Sequence, residues 1–285
     1  MPLLLTQTSG IIWRTTTLSE KDHIVFFSGG ISSFFTAQRV VEKYGKERTR
    51  LLFTDTKYEH EDLYEFLEEG AKHLGAELVW IAEGRTPWEV FRDVKFLGNS
   101  RIDPCSKILK RQPAQRWVKE NYPDPESCVL YLGLNWDEEH RLVRSKKYWA
   151  PYEVTSPLME PPLLDKHHMI EQLRELGILV PELYEAGFPH NNCGGFCIKA
   201  GQAHFRKLLS KYPEKYKECE EKEKEMQELL GKDVTILREQ VKGEKRTLSL
   251  KVLRERELKD CDLFDWGGCG CFGEIPDEED MSNNV

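Results

Sequence analysis

Along the first half of the chain, short apolar runs alternate with longer amphipathic stretches. His23-Ile24-Val25-Phe26-Phe27 is a continuous apolar run closed by Ser-Gly-Gly, the profile of a strand buried on both faces that feeds a tight turn. Phe34 to Tyr44 reads as a helix with Phe35, Val40 and Val41 toward a core. A second strand is expected at Leu51 to Thr54, a second helix from Glu61 to Leu74 on Leu63, Phe66, Leu67 and Leu74, and a third strand from Glu77 to Ala82. Beyond an irregular Pro87 to Lys110 region, a helix at Pro113 to Asn121 leads to a fourth strand, Cys128 to Leu132. Strands that alternate with helices predict an α/β fold, a parallel sheet covered on both faces. In such sheets ligands sit beyond the carboxyl ends of the strands, where the Ser-Gly-Gly turn lies.

The pattern changes near residue 150. Pro151, Pro157, Pro161 and Pro162 crowd a loop-rich stretch, and Lys166 to Leu176 reads as helix. A cysteine segment, Asn191-Asn192-Cys193-Gly194-Gly195-Phe196-Cys197, follows. Residues 212–231, rich in glutamate, read as a solvent-facing helix, and Thr247 to Leu258 as another. The chain closes on Asp265-Trp266-Gly267-Gly268-Cys269-Gly270-Cys271 and an acidic tail with the composition of disordered chain. The expected organisation is a lead-in over residues 1–22, a nucleotide-binding domain over 23–200 carrying the cysteine site, a helical cysteine-bearing extension over 201–271, and the tail over 272–285. No internal repeat is visible.

Composition narrows the class. At 285 residues with 39% hydrophobic positions, the chain can bury a substantial core. No apolar run approaches the roughly 20 residues of a membrane helix, and the start, Met1-Pro2-Leu3-Leu4-Leu5, lacks a basic leader; a cytoplasmic protein without membrane attachment is expected. The net charge of −8 argues against a general polyanion-binding surface. Nucleic acid would need a local patch, such as Lys107, Lys110, Arg111 and Arg116, or Arg141, Arg144, Lys146 and Lys147; ordinary solvated helix charge explains either cluster equally well. Eight cysteines in a chain of this type point to metal, cluster or thiol chemistry rather than a disulfide framework.

The most specific signal is Ser28-Gly29-Gly30-Ile31-Ser32-Ser33 between a strand and a helix. Two glycines let the backbone approach a ligand closely, and the helix start offers unpaired N–H groups to an anion. Ser28, Ser32 and Ser33 can add hydroxyl donors. The plainer alternative is a helix start in which Gly-Gly only eases the turn.

This turn resembles that of PP-loop ATP pyrophosphatases of the adenine nucleotide alpha hydrolase-like (HUP) fold, and the flanking segments resemble the phosphoadenylylsulfate (PAPS) reductase branch. The likeness is carried by Leu52-Phe53-Thr54-Asp55-Thr56 with Glu61-Asp62, by Cys105-Ser106-Lys107-Ile108-Leu109-Lys110, by Gly133 through Glu138-Glu139 to Arg141, and by Leu183-Tyr184-Glu185-Ala186-Gly187-Phe188 leading to Cys193 and Cys197. Together these span about residues 23–200. Three departures stand out. Serine occupies position 32, where the ATP-using branch has aspartate; the glycine turn is nearly intact, whereas PAPS reductases carry a degraded one; and the reductases' C-terminal Glu-Cys-Gly-Leu-His motif is missing.

By resemblance, the turn holds the β- and γ-phosphates of ATP, Thr54 and Asp55 meet the adenosine, and Arg141 serves catalysis, with magnesium offsetting phosphate charge. Asp55 reads equally as a strand-end turn residue. The resemblance also implies an iron–sulfur cluster, a 4Fe-4S cluster on Cys105, Cys193 and Cys197, with Cys269 or Cys271 as a fourth ligand or the two as a catalytic thiol pair that handles sulfur. Zinc is the competing metal. Cys128 reads as core, and Cys219 and Cys261 as structural. His140, His167, His168 and His190 could carry protons or contact ligand, although surface and capping roles fit each of them better. The leading expectation is an enzyme that adenylates a substrate, releasing pyrophosphate and then AMP, and supports sulfur transfer to nucleic acid, by tRNA thiolation or DNA phosphorothioation, from a donor such as a cysteine desulfurase. Reduction of PAPS or adenylylsulfate to sulfite, and a catalytically silent nucleotide-binding module, are the alternatives.

Overall fold

The computed structural model describes residues 21–241, 243–256 and 266–267. Five strands form one all-parallel sheet: β1 (Asp22–Phe26), β2 (Thr49–Asp55), β3 (Glu77–Ala82), β4 (Cys128–Tyr131) and β5 (Glu153–Thr155), in the order β3-β2-β1-β4-β5. The order reverses at β1, whose neighbours are β2 on one side and β4 on the other. A crevice therefore opens beyond the carboxyl ends of β1 and β4. This is the expected α/β architecture of the HUP/PP-loop type.

Alternation along the strands explains why both faces are covered. Val25, Phe27, Leu51, Phe53, Val129 and Tyr131 point to one face and pack under α1 (Ile31–Tyr44), α2 (Glu61–Leu74) and α6 (Lys166–Glu175). Ile24, Phe26, Leu52 and Leu130 point to the other, under α4 (Gln112–Asn121) and α5 (Glu139–Trp149). The irregular region before α4 contains a short helix, α3 (Pro87–Asp93), begun by a reciprocal Thr86–Glu89 capping box, and a stretch of π-helix from Ser106 to Arg111.

A third core lies outside the sheet. Trp88 and Phe91 of α3 and Leu183 of α7 (Glu182–Glu185) meet Phe196, Ile198, Phe205 and Leu208 of the cysteine segment and α8 (Gln202–Lys211). Tyr216, Cys219 and Met226 of α9 (Pro213–Leu230) join them, with Leu237 of β6 (Leu237–Val241), Leu248 of β7 (Glu244–Leu248) and Leu253 of α10 (Leu250–Glu255). The charged helix α9 is thus not wholly solvent-facing: Tyr216, Cys219, Glu223 and Met226, spaced three, four and three apart, form a buried stripe. Nor is Thr247 to Leu258 one helix. Ser249 accepts the N–H of Val252 and divides an antiparallel hairpin strand from α10. Among the described residues no helix is long and apolar enough to cross a membrane.

Candidate nucleotide and cysteine sites

The glycine turn follows β1 directly. Gly29 adopts φ +76°, and a Cβ there would lie 2.6 Å from Leu63 Cγ, so both conformation and space require glycine. Across the crevice Gly133 leaves β4 so close to the start of α1 that a Cβ would sit 2.7 Å from the Ser33 nitrogen. Tyr184 of α7 caps the turn from above, its hydroxyl 3.4 Å from the Ile31 nitrogen. The Ile31 side chain itself is core. A cavity of about 260 Å³ opens here, lined by Ser28, Gly30, Ser32 and Ser33 on the turn and by Gly133, Asp137, Glu138 and Arg141 beyond β4, with Lys166, His190 and Asn191 also in its wall.

The hydroxyls divide their roles. Ser33 Oγ donates back to the Gly30 carbonyl at 2.7 Å, so its proton serves the turn and not a ligand. Ser32 Oγ reaches Met169 Sδ at 3.9 Å, while Ser28 lies in the cavity lining with its hydroxyl outside any bond among the described residues. Arg141, buried in the first turn of α5, donates to Glu138. Asn191 is 2% exposed; its amide nitrogen donates to the Gly29 carbonyl at 3.0 Å, which ties the cysteine segment to the turn.

Thr54 and Asp55 are buried at the end of β2, and neither enters the lining of the turn cavity. The Asp55 carboxylate accepts from the Lys57 amide at 2.7 Å, Tyr64 at 3.1 Å and Trp80 at 3.3 Å, and pairs with the Lys57 ammonium at 2.9 Å. Burial pushes this carboxyl up, but the Lys57 and Tyr64 bonds outweigh it and hold it below its ordinary range. Its side chain acts as the strand-end turn residue, stabilising the left-handed Lys57 at φ 56°.

The three cysteines meet. Cys105, Cys193 and Cys197 line one small cavity, about 30 Å³, with Thr56, Asp103, Lys110, Asn192 and Phe196. Cys105 stands immediately before the π-helical stretch, a feature that concentrates at functional sites. Cys193, Gly194 and Gly195 take φ of 50°, 58° and 82°, three consecutive left-handed residues that curl the backbone around the cavity. Glu59 holds this curl: its carboxylate accepts the Cys193 N–H, the Thr56 hydroxyl at 2.9 Å and the Lys110 ammonium at 3.2 Å. The pair is buried, with 7% and 1% of the two side chains exposed. A second buried pair, Arg111–Asp103 at 3.3 Å, flanks Cys105. From the other side the His204 ring makes a 2.8 Å hydrogen bond to the Gly195 carbonyl.

Burial pushes the Cys105 and Cys193 thiols up, the carboxylates of Asp103 and Glu59 respectively push further, and Lys110 opposes both. Among the described residues no three His, Cys, Asp or Glu side chains converge as a cage for one metal ion. The donor set fits a thiolate-bound iron–sulfur cluster: soft sulfur ligands in an apolar chamber whose ionisation a cationic group would offset. Asn192 lines both cavities, so the glycine turn and the cysteine chamber adjoin.

Cys269, Cys271 and Cys261 lie outside the described residues. Cys128 is core at the start of β4 and Cys219 is buried in α9. His167 and His168 are exposed on α6, facing Glu171 and Asp165, and His140 is exposed on α5. Glu59, Asp137, Asn191 and His204 belong to the two sites without having been singled out in the sequence. Isolated polar residues on separate segments, they carry no spacing signal.

A parallel sheet with its glycine turn at the strand-order reversal defines the chain as a PP-loop superfamily protein. The chain belongs to the phosphoadenosine phosphosulfate reductase domain family, whose profile matches residues 22–196. A curated relative, an uncharacterized protein of Methanocaldococcus jannaschii, is 26% identical over 216 residues, 74% of this chain. The match spans 43% of that relative's length. Among solved structures, the PAPS reductase of Candida auris in its phosphate complex is similar at 17% identity and a TM-score of 0.42, over 62% of this chain and 82% of that one. The tRNA thiolase NcsA of Methanococcus maripaludis, with its 4Fe-4S cluster, is similar at 15% and 0.43, over 57% and 60%. The NMN synthetase of Francisella tularensis is similar at 15% and 0.41, over 60% and 66%.

Proposed function

We propose that this PP-loop enzyme uses ATP to adenylate a substrate and supports transfer of sulfur to it, with nucleic acid as the acceptor. The observation that carries the reading is the adjacency of the two cavities: a nearly intact glycine turn and a chamber lined by Cys105, Cys193 and Cys197 share Asn192. An acceptor oxygen attacks the α-phosphorus of ATP, the bond to the bridging oxygen breaks, and pyrophosphate leaves with the electron pair. A sulfur nucleophile then displaces AMP from the acceptor. The turn's N–H groups and the amino end of α1 stabilise the departing pyrophosphate, while Arg141 and Lys166 supply positive charge in the same lining. Asp137, in the same lining, would offer magnesium an oxygen ligand, whereas Glu138 is engaged by Arg141 and the Asn135 amide.

Of the described residues, Cys105, Cys193 and Cys197 would hold the iron–sulfur cluster, which would supply a place to carry sulfur. Zinc, the competing metal, satisfies the same donors by type. The chain's own contribution is the Glu59–Lys110 pair, which orients the Cys193 loop and places a cation beside the thiolates.

Membership of the PAPS reductase domain family favours a second reading, reduction of PAPS or adenylylsulfate to sulfite. One experiment separates them. Anaerobically purified protein is given ATP and an unmodified tRNA or DNA acceptor, and pyrophosphate is measured; separately it is given PAPS or adenylylsulfate with a thioredoxin-type reductant, and sulfite is measured. Acceptor-dependent pyrophosphate release is the expected result. Sulfite without any ATP turnover would replace the first reading by the second.

A further inference from the structure

One exposed surface is left unused by the site described above. Trp136 stands at the entry to α5, between Asn135 and Asp137, both of which line the turn cavity, yet it is 54% exposed and absent from that lining. Val143, on the same helix, is 50% exposed. The buried side of α5 is Arg141, Leu142, Ser145 and Trp149. On the solvent side, at helical spacing, stand Trp136, His140, Val143 with Arg144, and Lys147. Among the described residues Arg144, Lys146 and Lys147 make no ion pair, although the chain as a whole carries an excess of acidic groups. A half-exposed indole, followed by a row of cations without an ion pair among the described residues, runs away from the mouth of the turn cavity for about 16 Å at 1.5 Å per residue.

We propose that this outer face of α5 is a docking strip for single-stranded nucleic acid. An unstacked base lies on Trp136 at the rim of the turn cavity, and the strand's phosphates meet Arg144 and Lys147. Bases stack on aromatic rings whatever their identity, and cations along a groove track the backbone. An acidic protein would use the cations and leave the indole idle, and a duplex keeps its base faces stacked inside. The proposal rests on the reading of a nucleic-acid acceptor, and it names the form in which that acceptor arrives.

The test is fluorescence anisotropy with the full chain and a labelled oligouridylate of about 12 nucleotides, within the usual site size. Trp136→Ala is expected to weaken binding about 5- to 150-fold, the equivalent of losing one stacked base, and Trp136→Phe to restore most of it. Replacing Arg144 and Lys147 together by glutamine is expected to lower the slope of log affinity against log salt by about 1.4, two phosphates' worth. Equal binding by wild type and Trp136→Ala overturns the proposal. So does a duplex of the same sequence held as tightly as the single strand, or polyglutamate competing as well as the oligonucleotide. ATP binding by the wild-type protein, measured in parallel, keeps the two ideas apart. ATP held with no oligonucleotide bound defeats the strip alone. A Trp136-dependent oligonucleotide complex with no affinity for ATP defeats the adenylation chemistry and leaves the strip standing.

Discussion

The glycine-turn cavity and the cysteine chamber are built from the same backbone device and solve opposite problems. In both, left-handed residues bend the chain around a space: Gly29 at the turn, and Cys193, Gly194 and Gly195 at the chamber. The turn opens on hydroxyls, backbone amides and the cations Arg141 and Lys166, with the carboxylates of Asp137 and Glu138 in the far wall, so an anion entering it finds hydrogen bonds in place of those it had in water. The chamber is small, apolar and walled by two buried ion pairs, so it favours neutral thiols until a cation arrives. The difference shows where each site stores its charge: the turn keeps its positive character in a helix end, whereas the chamber keeps a carboxylate, Glu59, that grips backbone.

The sharpest way to break the chamber and spare the turn is Cys105→Ala. On the proposed cluster reading, the anaerobically purified variant should lack the iron and visible charge-transfer absorption expected of the wild type, while ATP binding measured by calorimetry should change less than twofold. Next comes Glu59→Gln, which strands the buried Lys110 ammonium and frees the Cys193 loop. Denaturant unfolding should show a loss of about 3–5 kcal/mol, as for other broken buried pairs. Asp55→Asn, at the end of β2, keeps an acceptor for Tyr64 and Trp80 and leaves only the half-exposed Lys57 without its counter-charge, so it should cost less.

A third effect follows from pH. Burial holds His204 down to about 4, against the opposing pull of its bond to the Gly195 carbonyl. Its contribution to stability is therefore complete above the unfolded value near 6.5 and is lost as pH falls through about 4, because the unfolded chain takes up the proton first. Up to about 3 kcal/mol should disappear over that window, and His204→Gln should flatten the dependence of melting temperature on pH between 7 and 4. Glu223 runs the other way. Burial raises it to about 7, so its contribution is complete below an ordinary glutamate pKa and declines as pH rises through about 7. Opposite slopes from the two single variants would sharpen the contrast between the loop and the helical layer behind it.

The smallest effect tests the turn. Gly29→Val must adopt φ +76° against Leu63, a strain of about 1–3 kcal/mol that should weaken ATP binding roughly 5- to 150-fold. Gly30→Val meets the Tyr184 hydroxyl at 3.3 Å and Ser28 Oγ at 3.8 Å, with no left-handed strain, and should cost less. Equal losses at the two glycines would mean that the turn's left-handed residue does not shape the anion site.

Much of this was legible without coordinates. The second helix and third strand fall on the residues the apolar pattern predicts, Glu61–Leu74 and Glu77–Ala82: the helix buries a stripe at helical spacing, and the edge strand half-covers Leu78 on one face and Val79 and Ile81 on the other. The β6–β7 hairpin was not: Leu237 and Leu248 are its only buried residues, too few for an alternation to register. The buried stripe of α9 was hidden for a related reason, since Tyr216, Cys219 and Met226 stand among glutamates and lysines and one of its four buried members, Glu223, is itself a charge that two backbone amides satisfy.

Local sequence alone determined the strand–turn–helix at Ser28 to Ser33, since glycine is the residue that meets a left-handed bend and a helix start follows it directly. It also marked Cys105, Cys193 and Cys197 as a set, through their segments' likeness to a family. Which residues surround them was decided only in three dimensions. Glu59, Lys110, Asn191 and His204 act through contacts with segments between 9 and 162 positions away. Such contacts depend on where the folded backbone carries each side chain, and a local pattern of apolar and polar residues holds no record of that distance.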